Sequence, residues 1–167
     1  MGISSAGVNV GAPTHTAPAE LGEAELAAWR GLVRVHAALV RELDAELDAR
    51  HGLPLSSYEV LRCLSKAAAG RLRMAELAEH VLLSRSGMTR LIDRLEREGM
   101  VSRSTCDKDG RGCYAGLTDH GREMVEQARS TYIAVVRAGF LRHFSQDEMR
   151  ELAMLFERVL PNAATSR

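Results

Sequence analysis

Aromatic residues, prolines, cysteines and long apolar runs are all scarce in this 167-residue sequence. Aromatic residues make up 4% of it, so a core must be built mainly from Leu, Val, Ala and Met. Only Pro54 lies between Pro18 and Pro161, which leaves long helices unobstructed. No uncharged apolar run after residue 20 approaches the length of a membrane span, and residues 1–19 lack the pattern of a signal peptide. We therefore expect a cytoplasmic protein.

The sequence also lacks the features of a secreted disulfide scaffold and of the common enzyme classes. Its three cysteines, Cys63, Cys106 and Cys113, include no CxxC pair, and their odd number favours a reducing compartment. No GxGxxG, GxSxG, P-loop or HExxH motif is present, and the six histidines are scattered. We expect no enzyme activity, no catalytic residues, no cofactor and no metal site.

Charge is balanced over the whole chain, with 22 basic and 22 acidic residues, but it is unevenly distributed. Residues 20–59 contain 4 basic and 8 acidic side chains, a net charge of −4. Residues 60–111 contain 11 basic and 7 acidic side chains, a net charge of +4. A basic middle third in a neutral chain indicates a face that binds an anion.

Apolar periodicity predicts a mainly α protein that begins and ends with long helices. Residues 1–19 are rich in small and polar residues without periodicity, so we predict a disordered tail there. From Ala24 to about His51, apolar residues recur every three or four positions, which is typical of one long amphipathic helix. A second helix should run from a Ser56–Glu59 capping box to near Gly70, followed by a helix over 75–81 and a helix over 83–99, the latter with an N-cap at Ser84 and an end at Gly99. Strands are predicted over 101–106 and 113–118. A helix should then run from Thr118 to about Phe144, and a last helix should begin at a capping box of Ser145 and Glu148.

The predicted helix over 83–99 has two chemically different faces. One face is apolar at i, i+3, i+4 and i+7 and should pack in a core; it comprises Met88, Leu91, Ile92 and Leu95. The other face presents hydroxyl and guanidinium groups beside one carboxylate, from Ser86, Thr89, Arg90, Asp93 and Arg97, with Arg85 and Arg94 at its edges. Such a helix fits the major groove of DNA, where Arg, Ser and Thr bind base edges or phosphates. A solvated face with i, i+4 charge pairs would show the same pattern.

The strands over 101–106 and 113–118 flank the charged segment DKDGRG, which predicts a β-hairpin with a basic tip. Arg103, Lys108 and Arg111 provide its positive charge. A basic hairpin directly after a polar-faced helix is the layout of a winged helix-turn-helix, in which a wing arginine can enter the minor groove.

Residues 75–121, AELAEHVLLSRSGMTRLIDRLEREGMVSRSTCDKDGRGCYAGLTDHG, resemble the MarR (multiple antibiotic resistance regulator) family of transcriptional regulators. The resemblance covers about residues 20–160. It implies a homodimer that binds a pseudo-palindromic site in double-stranded DNA, with repression as the expected outcome and a small, often aromatic, effector or oxidation as the control. It also implies dimerisation helices at 20–54 and 119–160 and a winged helix-turn-helix DNA-binding region at 55–118.

The resemblance further assigns DNA contacts to individual positions. The residues that would face the major groove are Ser84, Arg85, Ser86, Thr89 and Arg90. Arg94 would bind a phosphate, and Arg111, oriented by Asp109, would enter the minor groove beside Arg103 and Lys108 of the wing. Two departures matter: Gly110 replaces the first of two consecutive wing arginines found in many members, and Arg73 stands where a Ser or Thr cap often begins the preceding helix. Arg73 could contact a phosphate instead.

In the family, effectors bind where the dimer helices meet the winged region, which makes Trp29, Arg30, His36 and Tyr58 the candidates here. Trp29 and His36 also lie on the apolar stripe of the first helix, where packing in a core or a dimer interface is the alternative. A disulfide between Cys106 and Cys113 across the hairpin would give a redox-responsive regulator, whereas both could simply be small strand residues. A dimeric small-molecule sensor without DNA binding is a further alternative.

Overall fold

The computed structural model describes residues 20–81, 84–105 and 113–161, and over these ranges the protein is mostly helical. Its elements, in chain order, are α1 (Glu23–His51), α2 (Leu55–Lys66), β1 (Arg71–Arg73), α3 (Met74–His80), α4 (Arg85–Arg97), β2 (Val101–Thr105), β3 (Cys113–Leu117), α5 (Asp119–Gly139), a short 3-10 helix (Leu141–His143) and α6 (Gln146–Val159). The expected mainly α winged helix-turn-helix is confirmed. The tail predicted over 1–19 lies outside the described residues.

The described residues divide between two units, a first that ends at Arg34 and a second that begins at Val35. The described part of the first unit contains the start of α1, and three of its large apolar side chains are exposed to solvent: Trp29, Leu32 and Val33. The second unit contains the rest of α1 and all the other elements, with the hydrophobic core among them. None of the described helices is apolar enough over a sufficient length to cross a membrane.

The core of the second unit is built from aliphatic side chains of α2, α3, α4 and the strands, as the shortage of aromatic residues requires. Fully buried members come from α2 through Leu61 and Leu64, from α3 through Leu77, and from β3 through Ala115. Tyr58 of α2 is the aromatic exception; its ring stacks on that of Tyr132 in α5, with centroids 4.9 Å apart.

A three-stranded antiparallel sheet in the order β1-β3-β2 lies beside the helices. The predicted hairpin corresponds to β2 and β3, which pair from Val101 opposite Leu117 to Thr105 opposite Cys113. Sequence analysis did not predict β1, because three residues are too few to show an alternating pattern. β1 pairs with β3 from Arg71 opposite Gly116 to Arg73 opposite Tyr114 and makes the sheet wider than the hairpin.

Three of the predicted N-caps are confirmed. Ser84 accepts a hydrogen bond from the Gly87 N–H, and Thr118 accepts one from the Gly121 N–H, both at 3.1 Å. Ser145 and Glu148 form the predicted capping box of α6. Gly99, at φ +73°, closes α4 as expected.

The predicted capping box at Ser56 is wrong, because α2 begins two residues earlier than such a cap would place it, at Leu55 after Pro54. The free N–H of Leu55 donates instead to the Asp44 carboxylate of α1 at 2.8 Å, so a tertiary contact replaces the local cap. The ends of two helices also differ from prediction. α2 ends at Lys66 and not near Gly70, and α5 ends at Gly139, after which residues 141–143 tighten into the 3-10 helix.

The start of α5 is packed tightly against the end of the α4–β2 connection. A Cβ atom at Gly121 would lie 2.1 Å from the Met100 carbonyl oxygen, so only glycine fits there. Farther along α5, the buried Thr131 hydroxyl bonds to Nε2 of His51 at 2.9 Å, which ties α5 to the end of α1. These contacts hold α5 against the body of the second unit.

Candidate nucleic-acid interface

The two faces predicted for α4 are present in the structure. Its apolar face is buried, and the exposed fractions of Ile92 and Leu95 are both 0%. Ser86, Thr89, Arg90 and Arg97 are exposed on the other side, as predicted. The helix therefore holds its position through its buried face while its hydroxyl and guanidinium groups remain accessible to an anionic partner.

The first turn of α4 is organised by Ser84. Its hydroxyl caps the helix at the Gly87 N–H and lies 3.3 Å from the Ser86 hydroxyl. A Cβ atom at Gly87 would lie 3.1 Å from the Ser84 hydroxyl and would crowd this cap. Gly87 therefore has a role within the protein, in addition to the closer approach to DNA that its lack of a side chain would allow.

Arg94 connects α4 to α2. Its guanidinium donates a hydrogen bond to the hydroxyl of the buried Ser57, next to the stacked Tyr58. The Arg94 Nε atom also lies 4.0 Å from the Glu98 carboxylate, and its side chain is half-buried. The predicted phosphate contact of Arg94 remains a prediction, and in the described structure this residue already has a role in positioning α4.

Arg103 connects the hairpin to α4. Its Nη1 lies 2.5 Å from the Asp93 carboxylate and 3.4 Å from that of Glu96. Its Nη2 donates to the carbonyl oxygen of Thr89 at 3.3 Å, and its backbone N–H donates to Glu96 at 3.3 Å. Sequence analysis assigned Arg103 to DNA contact alone. Val101 is buried and Arg103 is two residues farther along β2, so the alternation of the strand turns Arg103 towards α4.

Several predicted site residues lie outside the described part of the chain. They are Cys106, Lys108, Asp109 and Arg111, and the side chain of Arg85 is likewise not described. The DNA contacts assigned to them, and the disulfide between Cys106 and Cys113, therefore stay predictions. Cys113 itself is exposed and pairs with Thr105 across the hairpin. Cys63 is half-buried, and burial raises the pKa of its thiol, which disfavours the reactive thiolate.

The four effector candidates lie in different environments. Trp29, with 58% of its surface exposed, and Arg30 belong to the first unit. His36 is exposed on the part of α1 in the second unit, whereas Tyr58 is buried in the core. Burial raises the pKa of Tyr58, so its phenol stays neutral.

Glu59 on α2 is a further titratable group, close enough to His36 to interact with it electrostatically, and sequence analysis did not include it among the candidates. Burial raises its pKa, and the charges of Arg62 and His36 oppose that shift.

Across residues 20–81, 84–105 and 113–161, no three His, Cys, Asp or Glu side chains form a group that could hold a metal ion.

Two arginines on β1 were also missed as a group. The guanidinium carbons of Arg71 and Arg73 lie 5.6 and 5.5 Å from the centre of the Tyr114 ring. Arg73 additionally donates from Nε to the Tyr114 hydroxyl at 2.9 Å. The sequence offered no signal for this pair, because three residues are too few to show that Arg71 and Arg73 lie on one face of a strand.

Comparisons with known proteins agree with this geometry. Residues 53–113 match the family model described as the MarR family. An HTH-type transcriptional repressor of Mycobacterium tuberculosis is 34% identical over 131 residues, which cover 77% of this chain and 89% of that protein.

Solved structures are similar over most of their length. AbsC, a MarR family transcriptional regulator from Streptomyces coelicolor, has a TM-score of 0.77 and 32% identity, covering 87% of this chain and 95% of that one. Sco3205, a MarR family regulator of the same organism solved in complex with DNA, has a TM-score of 0.82 and 29% identity, covering 90% of this chain and 94% of that one.

Proposed function

Since the chain belongs to the MarR family of transcriptional regulators, we propose that it binds double-stranded DNA through α4 and the β2–β3 hairpin and regulates transcription as a homodimer. The relative from M. tuberculosis is named a transcriptional repressor, which supports repression as the direction of control. The similar Sco3205 was solved with DNA, which supports a duplex as the partner. Such a regulator would work in the cytoplasm, where the chromosome lies.

The observation that carries the proposal is the pairing of a buried apolar face with an exposed cationic face on α4. Arg90 and Arg97 are exposed on that face, beside the hydroxyls of Ser86 and Thr89. The carboxylates of Asp93 and Glu96, which would repel phosphate, are both paired with Arg103. The surface that α4 offers to a duplex is therefore more positive than its sequence alone suggests.

Exposed apolar side chains on the first and last helices support a homodimer. α6 has no buried residue, and its large apolar side chains Met154, Leu155, Phe156 and Val159 are all exposed. Apolar surfaces of this kind on a single chain are typical of a contact with another protein. We propose dimerisation helices at 20–54 and 119–160 and a DNA-binding region at 55–118, with a second copy of the chain covering the exposed side chains.

Dimerisation would give two copies of α4 to one duplex, and a two-fold protein fits a pseudo-palindromic site. The residues proposed for DNA contact are Ser84, Arg85, Ser86, Thr89, Arg90, Arg94, Arg103, Lys108, Asp109 and Arg111. Among them, Arg90 is the best supported reader of a base, because it is exposed on α4.

A DNA titration tests the proposal. The full-length protein is titrated into labelled duplex from the region upstream of its own gene, with random duplex as competitor, at two salt concentrations. Arg90→Ala should weaken specific binding by about 1–3 kcal/mol and relax base discrimination. Arg50→Ala is the matched control, since Arg50 is also an exposed arginine and pairs with Glu46 at 2.8 Å on α1.

Arg111→Ala extends the same titration to the wing. The substitution should reduce the slope of log affinity against log salt by about one if Arg111 neutralises one phosphate. A wild-type protein that binds no duplex better than random competitor, or that remains monomeric at the concentrations used, would refute the proposed function.

We also propose that a small aromatic acid modulates DNA binding through Trp29, Arg30, His36 or Tyr58. The aromatic and cationic character of these residues supports that ligand class, and Glu59 beside His36 supplies a further titratable group. Coupling to DNA binding would be about 1–3 kcal/mol. Thermal-shift titrations with salicylate and urate test this, and the absence of a shift with either compound would contradict an aromatic-acid site.

A further inference from the structure

Two polar contacts hold α4 on either side of Arg90. Arg94 donates a hydrogen bond to the buried Ser57 hydroxyl of α2, and Asp93 pairs with Arg103 of β2. On a helix with about 3.6 residues per turn, Arg94 lies about 40° from Arg90 in one direction and Asp93 about 60° in the other. The exposed Arg90 is therefore flanked around the helix axis by two anchored positions.

Ser57 lies in a part of α2 that is held firmly in place. Only 1% of its surface is exposed, and its backbone N–H donates to the Pro54 carbonyl oxygen at 2.9 Å. The next residue, Tyr58, is buried and stacks on Tyr132 of α5, with ring centroids 4.9 Å apart. The Ser57 hydroxyl is thus a fixed point of the core, and the Arg94 side chain has to meet it there.

The bond to Ser57 restrains the Arg94 guanidinium in a way that its other neighbour, Glu98, does not. Within the described part of the chain, the Arg94 Nε atom is buried without a hydrogen-bond partner, and the Glu98 carboxylate lies 4.0 Å from it, beyond hydrogen-bond distance. Apolar packing on the inner face of α4 is not directional and tolerates a small rotation of the helix, whereas a hydrogen bond requires a narrow geometry. The bond to Ser57 therefore restricts rotation of α4 about its axis.

We propose that Ser57 is a positioning residue for base recognition: through Arg94 it fixes the rotation of α4, and so the direction in which Arg90 leaves the helix. This inference rests on the proposed function, because it concerns the base contact assigned to Arg90. A recognition group has to be held within about 10–20° of its productive geometry. Ser57 is buried and does not touch DNA itself, so its effect is on which base pairs are preferred.

The test measures base discrimination by the full-length protein. Affinities are determined for the duplex that the protein prefers and for a set of duplexes in which one base pair at a time is changed. The ratio of two such affinities is the discrimination ratio at that base pair. Because all the duplexes have the same phosphates, any phosphate contact of Arg94 cancels in this ratio. Arg90→Ala identifies the base pair that Arg90 contacts.

Ser57→Ala should lower the discrimination ratio at that base pair by about five-fold, near the lower end of what one base contact contributes. Its salt slope should equal that of the wild type, because no charge is removed. Arg94→Gln should lower the same ratio by as much, and the double variant should lower it no further, because the two residues act through one bond.

Thr131→Val is the matched control for Ser57→Ala. It removes another buried hydroxyl, which bonds to His51 and lies on α5. Thermal unfolding should show that both substitutions leave a folded protein, whereas the discrimination ratios of Thr131→Val should all equal those of the wild type.

The outcomes separate this inference from the proposed function. If Arg90→Ala lowers the ratio at one base pair while Ser57→Ala changes it at none, or weakens binding to all the duplexes equally, only this inference fails. Effects of Ser57→Ala and Arg94→Gln that multiply in the double variant would show that the two residues act independently, which also overturns it. If the wild type prefers no duplex, the proposed function fails as well.

Discussion

Helices α4 and α6 are of similar length and both are amphipathic in sequence, yet their apolar residues differ in burial. Every apolar residue on the inner face of α4 is buried, whereas α6 has no buried residue and leaves Met154 63% and Val159 82% exposed. An apolar stripe therefore predicts that a helix packs against something, but not whether the partner belongs to the same chain. The apolar residues of α4 are buried within the second unit, whereas those of α6 stay exposed in the single chain.

The difference in burial between α4 and α6 also separates the folding stability of one chain from the stability of association between chains. Substitutions in α4 should act on the unfolding of the chain itself, at any protein concentration. Substitutions on α6 should act on association, and their effect should depend on concentration.

Leu95→Ala should have the largest effect. Leu95 is fully buried on the inner face of α4, so the substitution leaves a cavity and should cost about 2–5 kcal/mol of folding free energy. Urea unfolding monitored by circular dichroism measures this. Met154→Ala on α6 is the matched control, and an equal loss for that substitution at low protein concentration would contradict the contrast between the two helices.

Leu155→Glu should break the association without unfolding the chain. A carboxylate placed in an apolar contact between two copies would have to lose its hydration, and the dimer dissociation constant should rise by about 100-fold, which is about 3 kcal/mol. Sedimentation velocity over a range of concentrations measures it. Glu151→Gln, an exposed polar change on the same helix, should leave the dissociation constant unchanged. A dimer unaffected by Leu155→Glu would place the interface elsewhere.

Arg103→Ala should weaken the connection between the hairpin and α4. The substitution removes contacts to Asp93, Glu96 and the Thr89 carbonyl, and the partly exposed pairs together should contribute about 1–2 kcal/mol. DNA affinity should fall as well, because two carboxylates on α4 lose their counter-charge. Combining Arg103→Ala with Asp93→Asn and Glu96→Gln should restore part of that affinity. A triple variant no better than Arg103→Ala would show that Arg103 does not act through those carboxylates.

Ser84→Ala should cost about 1 kcal/mol of stability through loss of the α4 cap. Ser84→Asp keeps a capping oxygen and should retain the stability, but its negative charge should weaken DNA binding. Thermal unfolding and the DNA titration separate the two effects. Ser145→Ala removes the equivalent cap on α6 and should leave the affinity of the winged region for DNA unchanged at saturating dimer concentration.

Glu148 should give the smallest effect, seen as a dependence of α6 on pH. The Ser145 backbone N–H donates to its carboxylate at 2.8 Å, and together with the Ser145 hydroxyl this lowers the pKa of Glu148 in the folded protein. Because the folded pKa lies below the unfolded value, the stabilisation is present above the unfolded pKa and is lost as pH falls through the folded pKa. Glu148→Gln should flatten that part of the stability profile between neutral and acidic pH.

The sequence predicts best what depends on neighbouring residues. The apolar face of α4 and the caps at Ser84, Thr118 and Ser145 follow from spacings of three or four residues, and the structure has them all. The sequence predicts poorly what depends on distant partners. The Leu55 N–H is satisfied by Asp44, eleven positions earlier, and the sequence gives no local sign of that bond.

In the candidate site, too, features set by neighbouring residues are predicted and features set by distant partners are not. The exposed residues of α4 are visible on a helical wheel, because one helix determines them. The role of Arg103 depends on which side of β2 faces α4, and that orientation is set by the packing of the sheet on the core. The charges on β1 were overlooked because the strand exists only through its pairing with β3.

Arg103 has a consequence for how such a protein could be switched off. Because this side chain fastens the hairpin to α4, we expect the two parts that we propose contact DNA to move together. In the proposed dimer, a signal would then act by changing the distance and tilt between the winged regions of the two copies. Some substitutions should prevent an effector from releasing the protein from DNA without changing α4. We expect them to cluster where α5 contacts α1, around His51 and Thr131.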